Sequence, residues 1–227
     1  MKRWALNIIT NSSDSYKYDL VLCDDIQEIS SEGIKLLQGL LHNDRCFIGF
    51  GDSNSSLKFN GEFFNLHNDF SFNIKELSNN YRSNSIVVNF LKELSNRKIE
   101  KKSENDVASS INGIVYYKDI DKVINDISNS ETILSLGRSF INSQIQIKEK
   151  ISDLKDIVDK EFETIICLDF LHTLQKIVKS KNENLFNKYL YFVSGKSKAN
   201  IIFLEDESKK KEVENIIKLP VYDWELI

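Results

Sequence analysis

The sequence is poor in the residues that staple small domains together. Only three cysteines stand among its 227 residues, Cys23, Cys46 and Cys167. An odd number without paired spacing argues against a disulfide framework and a cysteine-rich zinc site. Each sits in an apolar run and reads as a small core residue. The three histidines, His42, His67 and His172, show no ligand spacing. Positive charge is not in excess, with 30 Lys and Arg against 34 Asp and Glu and a net charge of -4. The basic stripe typical of an independent nucleic-acid module is therefore missing. The local clusters Lys98, Lys101, Lys102 and Lys176, Lys179, Lys181 read as solvated faces. No apolar run approaches the roughly 18 residues that mark a membrane span. Met1 to Thr10 is too short and too polar for a secretory core. A cytoplasmic location without membrane contact is the expectation.

What is present is an apolar, alternating chain. Hydrophobic residues make up 41% of it, enough for one sizeable core or two small ones. The most informative segment is Tyr18 to Glu28. There an apolar run, Leu20 to Cys23, ends in Asp24 and Asp25 and then Gln27. A buried strand delivering acids to the edge of a parallel sheet has this pattern, and ligands gather at that edge. Ile34, Leu36, Leu37, Leu40 and Leu41 follow at helical spacing. A second run, Arg45 to Phe50, closes on Gly51 and Asp52. Adjacent carboxylates at strand ends suit Mg²⁺ held through oxygen or water. The bland counterpart is a strand followed by a helix that favours acids at its N-terminus. Further on, Asn80-Tyr81-Arg82-Ser83 precedes the helical pattern Ile86, Val87, Phe90, Leu91 and Leu94.

Taken in order, these segments resemble the UvrD/Rep-type superfamily 1 DNA helicases. The family pattern reads D-E-x-Q-D, then G-D-x-x-Q-S-I-Y, then N-Y-R-S. The last is complete at Asn80 to Ser83. Asp25 stands where the family has Glu, and Glu28 where it has Asp. Gly51 and Asp52 are kept, with Ser55 in place of the glutamine. Downstream, Glu131 to Arg138 resembles the opening of the second motor domain. Glu161 to Ile166 is similar to E-F-D-T-V-I, without the Lys-Gly-Leu that precedes it there. Leu190 to Lys198 lies where the family has L-Y-V-A-x-T-R-A-K, with Lys196 in place of the arginine and Gly195 in place of the threonine.

The resemblance implies an α/β fold of RecA-like parallel sheets flanked by helices. It implies a partial first motor domain over residues 1–75 and a second over 76–227, with a polar linker near 95–113. It implies ATP and Mg²⁺ as cofactors and 3'-5' DNA unwinding as the ancestral activity. Asp24 would coordinate Mg²⁺ through water, and Asp25 would orient the attacking water. Gln27 and Asp52 would couple nucleotide to DNA-contacting segments. Arg82 would stabilise the γ-phosphate, Lys196 would stand in for the second arginine, and Glu161 would lie near the ribose. Asp24, Asp25, Gln27, Asp52 and Arg82 are expected at the C-terminal edge of one parallel sheet.

One family feature is missing. The phosphate-binding loop G-x-x-x-x-G-K-T, whose backbone N–H groups and lysine grip the nucleotide phosphates, is found neither ahead of Tyr18 nor elsewhere. Gly195-Lys196-Ser197 has Leu190 where the first glycine belongs, and reads as a turn between two strands, Tyr189–Val193 and Asn200–Leu204. Two expectations follow. The chain is a split or degenerate motor, inactive alone, whose loop comes from a protein partner. The alternative is a non-catalytic interaction module of helicase ancestry that pairs with a nucleic-acid enzyme. An unrelated α/β domain that mimics the motifs is a third reading. Met1 to Asp19, with Trp4, Leu6, Ile8 and Ile9, is expected to cover the open sheet edge or to dock on a partner. Further helices are predicted over Ile145–Val158, Leu171–Val178 and Glu207–Lys218, the last stopped by Pro220. Phe59 to Phe72 reads as irregular.

Overall fold

The computed structural model describes residues 17–55, 73–95, 98–102, 111–126, 132–134, 151–152, 154–158, 160–178 and 183–222. The expectations for 1–16, 59–72 and 135–150 lie outside these residues. The chain divides into two compact units, Met1–Glu76 and Leu77–Ile227.

The first unit is a strand–helix–strand element. Strand β1 (Tyr18–Cys23) pairs in parallel with β2 (Leu41–Gly49). Helix α1 (Ser31–Gly39) crosses between them, with the Ser30 side chain accepting a hydrogen bond from Gly33 N. This N-cap satisfies one of the amide groups that a helix start leaves unpaired. Cys23, Ile26 and Ile34 form the core, with Ile29, Leu37 and Phe47 packed against it. β1 differs from the buried strand expected. Leu20 is 48% and Leu22 61% exposed, whereas Cys23 on the opposite face is buried. A parallel strand is apolar on both faces because helices normally cover both. Among the described residues, one helix covers one face.

The second unit carries the larger core. Its strands are β3 (Asn79–Asn80), β4 (Glu100–Lys101), β5 (Asn112–Tyr117), β6 (Thr132–Leu134), β7 (Ile151–Ser152), β8 (Phe162–Leu168), β9 (Ser197–Asp206) and β10 (Val221–Tyr222). Among the described residues, six of them form one sheet in the order β10-β5-β9-β8-β6-β7, and every pairing is parallel. β3 and β4 make a separate short ladder. The helices are α2 (Ser85–Ser95), α3 (Ile120–Asp126), α4 (Phe170–Val178), α5 (Glu183–Ser194) and α6 (Lys210–Glu214).

Both faces of the sheet are covered. Val115, Tyr117, Ile133, Ile166, Leu168, Ile202 and Leu204 pack with Val123 of α3 on one side. On the other, Phe203 meets Phe90 of α2 and Phe170 of α4, with ring centroids 6.5 and 6.4 Å away. This explains the unbroken apolar runs in β8 and β9, since a two-sided parallel sheet leaves no polar face to alternate with. The α/β class with parallel sheets flanked by helices is as expected from the sequence.

Several local expectations are corrected. Tyr189–Val193 is not a strand but the end of α5. Leu190, Tyr191, Phe192 and Val193 are all buried, and a short apolar run cannot by itself be told from a buried helix. The turn at Gly195 and Lys196 therefore joins a helix to a strand. Within Ile145–Val158 the described part holds β7 and a 3₁₀ turn over Leu154–Ile157. Within Glu207–Lys218, a 3₁₀ turn at Glu207–Lys209 leads into α6, which ends at Glu214. Cys46 is exposed, unlike buried Cys23 and Cys167. In the 95–113 segment, Glu100 draws Lys98 to 3.2 Å and Lys102 to 3.7 Å, a solvated cluster as predicted for these lysines.

Candidate functional site

The acids of the first unit gather at the carboxyl ends of β1 and β2. The ladder extends past the strands, as Phe50 N donates to Cys23 O at 2.8 Å and Ile26 N donates to Phe50 O at 3.0 Å. The chain then turns sharply. Asp25 adopts a left-handed conformation, φ 48°, which is sparsely populated for a non-glycine residue and tolerated best by Asp and Asn. Asp25 N donates to Asp24 Oδ1 at 2.9 Å. Gln27 is buried and joins the two motifs. Its Nε2 donates to Asp25 Oδ1 at 2.9 Å, and its Oε1 accepts from Asp52 N at 3.0 Å. Asp52 in turn accepts from Asn54 N on its side chain and from Ser55 N and Oγ on its carbonyl. Gly51 permits this closeness, because a Cβ there would fall 2.4 Å from Gln27 Oε1 and 2.8 Å from Ile26 Cγ2. Burial, then the Asp24 and Asp25 charges, push the Cys23 thiol up.

Arg82 lies in the second unit. Asp24, Asp25, Gln27 and Asp52 share the edge of β1 and β2, and Arg82 is anchored on a sheet of its own unit, so the five residues expected on one parallel sheet are carried by two. The reason lies in the neighbours of Arg82. Asn80 Oδ1 accepts from both Arg82 N and Ser83 N at 2.9 Å, a side-chain turn of the kind Asn favours. Ser83 Oγ donates to Ser197 O at 3.0 Å. Asn84 is buried, donates through its N to Lys198 O and through Nδ2 to Ala199 O, both at 2.8 Å, and accepts from Val87 N. The N-Y-R-S segment is therefore fastened to the start of β9 and caps α2. Ser83 and Asn84 as anchors were not evident from sequence, because their partners lie more than 100 positions away.

Held this way, Arg82 reaches the amino end of the second sheet. Its Nη1 donates to Gly195 O at 3.0 Å and its Nη2 lies 2.6 Å from Glu161 Oε1. Lys198 lies 3.7 Å from the same carboxylate. Lys196 Nζ donates to the Val158 carbonyl and sits 5.3 Å from the centroid of the Phe192 ring. Thus Arg82, Glu161 and Lys196, far apart in sequence, converge around the turn that opens β9.

Asn84→Ala tests the anchoring. It removes a helix cap, worth about 0.5–2 kcal/mol, and strands the buried Ala199 carbonyl, costing about 1–3 kcal/mol. The expected loss is about 2 kcal/mol in a urea melt. A loss below about 0.5 kcal/mol would show that the segment is held by other contacts.

A further cluster was missed by the sequence reading. At the carboxyl ends of β5, β8 and β9, the Tyr117 hydroxyl lies 2.9 and 2.8 Å from the two oxygens of Asp169. Glu205 is fully buried. Its Oε1 accepts from Leu171 N at 2.6 Å and its Oε2 lies 2.7 Å from His172 Nδ1. Burial pushes the Glu205 carboxyl up despite the hydrogen bonds it accepts, and the Glu205 contact pushes the His172 imidazole up despite its own burial. Asp169 is pushed up by burial, against the pull of Tyr117 and His172. Asp169 and His172, three apart just past a strand, were the available signal. Glu205, closing an apolar run, gave none.

No protein-family model matches the sequence, and no curated protein matches it. Solved structures do match. The PRRSV helicase aligns with a TM-score of 0.54 at 9% identity, covering 88% of this chain and 37% of that one. A crystal structure of arterivirus nonstructural protein 10, a helicase, gives 0.53 at 9% identity over 87% and 41%. A complex of that arterivirus helicase with DNA gives 0.52 at 9% identity over 91% and 43%. The chain thus has a helicase-like α/β fold, and spans 37–43% of the length of these neighbours.

Proposed function

We propose that this chain carries the carboxylate set and the arginine of an ATP-dependent DNA motor of the UvrD/Rep-type superfamily 1 helicases, with the phosphate-binding loop supplied from outside these 227 residues, as by a partner polypeptide. The observation that carries the reading is the Gln27 bridge, which holds Asp25 on one side and, 25 positions further along the sequence, Asp52 on the other. A chance set of motifs has no reason to be wired together at one strand edge.

The residues fit Mg²⁺ and a nucleotide. Asp24 and Asp25 are exposed at the strand end, where carboxylates hold Mg²⁺ through one or two contacts and retained water. When bound, the ion would neutralise phosphate charge. Asp24 would hold its water shell, and Gln27 would report the state of this edge to Asp52. Arg82, with its planar fork, is the group suited to phosphate. Two departures weaken the site. Asp25 is one methylene shorter than Glu and directs an oxygen at Gln27 Nε2. Lys196 is engaged by the Val158 carbonyl and lacks the fork. The exposed face of β1, with Tyr18, Leu20 and Leu22, supports docking of a partner. It equally supports the alternative of a non-catalytic interaction module. DNA would then be reached through the assembly, since the net charge of -4 gives this chain little grip of its own. No helix among the described residues is long and apolar enough to cross a membrane.

The test is phosphate release from Mg-ATP. The isolated chain is expected to show none above background, with or without single-stranded DNA. Co-expression with the products of adjacent reading frames is expected to yield a complex that hydrolyses ATP and loses activity with Asp24→Ala. Turnover by the isolated chain, abolished by Asp25→Ala, would overturn the need for a partner. Complexes whose turnover ignores Asp24→Ala would leave the interaction-module reading.

A further inference from the structure

We propose that Asp169, His172 and Glu205 form a binding site for a divalent transition-metal ion of the zinc class, distinct from the acidic edge of the first unit. Each residue offers one ligand atom, and the three atoms lie within 4.8 Å of one another. Ligand atoms about 2.0–2.2 Å from one ion lie at most about 4.4 Å apart, so closing the site takes a shift of side-chain size.

Four features support a cation here. The first is place. β5, β9 and β8 are neighbours in a parallel sheet, and the cluster sits at their carboxyl ends, the edge where open α/β sheets bind ligands. The motor residues Arg82 and Glu161 sit at the opposite end of β8, about 25 Å away at the usual strand rise.

The second feature is the donor set. One imidazole and two carboxylates match the mixed nitrogen and oxygen sites that zinc occupies, with a fourth position open to water. Mg²⁺ favours oxygen ligands alone.

The third is orientation from outside the donor set. Tyr117 Oη bonds to the Asp169 carboxylate, Asp206 N donates to Asp169 Oδ1 at 3.3 Å, and Leu171 N fixes Glu205 Oε1. Ligating carboxylates are commonly held by such outer hydrogen bonds. Glu205 Oε2 and His172 Nδ1, 2.7 Å apart, share the hydrogen that an entering cation would displace.

The fourth is charge. Asp169, half-buried, and Glu205, with no exposed surface, set two carboxylates beside His172. Buried charges of one sign require a counter-charge. One imidazolium neutralises a single carboxylate, whereas a divalent ion neutralises two.

The experiment is calorimetric titration of the full chain, stripped with EDTA, using zinc, manganese and magnesium chlorides. Metal content of the unstripped protein is measured in parallel. One equivalent of zinc is expected to bind, more tightly than magnesium, and to raise the melting temperature. Asp169→Asn and His172→Gln should each remove this binding. Tyr117→Phe keeps all three donors and should weaken zinc affinity by about 10–100-fold, the usual effect of losing an outer hydrogen bond. Circular dichroism confirms that each variant is folded. Asp24→Ala should leave the zinc isotherm unchanged, which separates this site from the motor reading. If the folded chain binds no stoichiometric zinc or manganese, or if His172→Gln and Asp169→Asn bind as the parent does, the cluster is a hydrogen-bonded brace and the proposal is wrong.

Discussion

Phe203→Ala is expected to cost about 3–5 kcal/mol of stability, the range for emptying a fully buried aromatic site. Phe203 has no exposed surface and lies mid-way along β9. Its backbone register places it opposite Ile114 of β5 and Cys167 of β8, both buried. Its ring meets Phe90 edge-on, at an interplanar angle of 72°, and Phe170 at 47°. Edge-to-face pairs add about 0.5–1.5 kcal/mol beyond the area they bury. Truncation would open a void between α2 and α4, and neither helix can close it without losing its seat on the sheet. Because the chain has two compact units, the measurement should be local. Hydrogen exchange at the β9 amides reads the second unit directly. Protection falling by less than about tenfold would show that this face of the sheet is held elsewhere.

The parts of the molecule legible in the sequence were those whose chemistry is local. Leu20 to Asp25 announced a strand ending in acids because apolar run and turn are contiguous. Asn80 to Ser83 was recognisable because Asn80 folds the next three residues around its own side chain. Gly51 and Asp52 were recognisable as a contiguous motif, and the structure supplies the reason for the glycine, since a Cβ there would meet Gln27 Oε1. What was hidden depends on distant partners. A four-residue apolar run serves as strand in Ile201–Leu204 and another as helix in Leu190–Val193. Nothing in either run decides between them, since both are buried and neither shows a period. His172 showed no ligand spacing, because its partner Glu205 is 33 positions beyond it and closes an apolar run. That Arg82 is carried by a different sheet from the carboxylates was equally invisible: motif order gives sequence, and the split into units is a property of which apolar faces pack together.

Arg82→Ala is expected to lower ATP turnover of the partner-complemented motor by about 10³ to 10⁵, the contribution of an arginine that meets transferring phosphate. Its effect on stability should be slight. The Arg82–Glu161 pair is close, at 2.6 Å, but both side chains are 40–45% exposed, and exposed pairs contribute at most about 1 kcal/mol. The contrast identifies the role, because a residue serving only the fold would move the two quantities together. Arg82→Lys sharpens the test. It keeps the charge and can still approach Glu161, but it loses the second nitrogen that bonds Gly195 O while the first holds the carboxylate. Geometry matters here more than charge, because phosphate recognition uses the planar fork. Arg82→Lys should therefore recover little of the lost turnover. Glu161→Gln should have a milder effect, freeing Arg82 from its ion pair while leaving the Gly195 bond. Single-turnover phosphate release separates chemistry from nucleotide binding. If Arg82→Ala turns over within tenfold of the parent complex, Arg82 is a strut of the β9 turn, and the phosphate contact belongs to another residue.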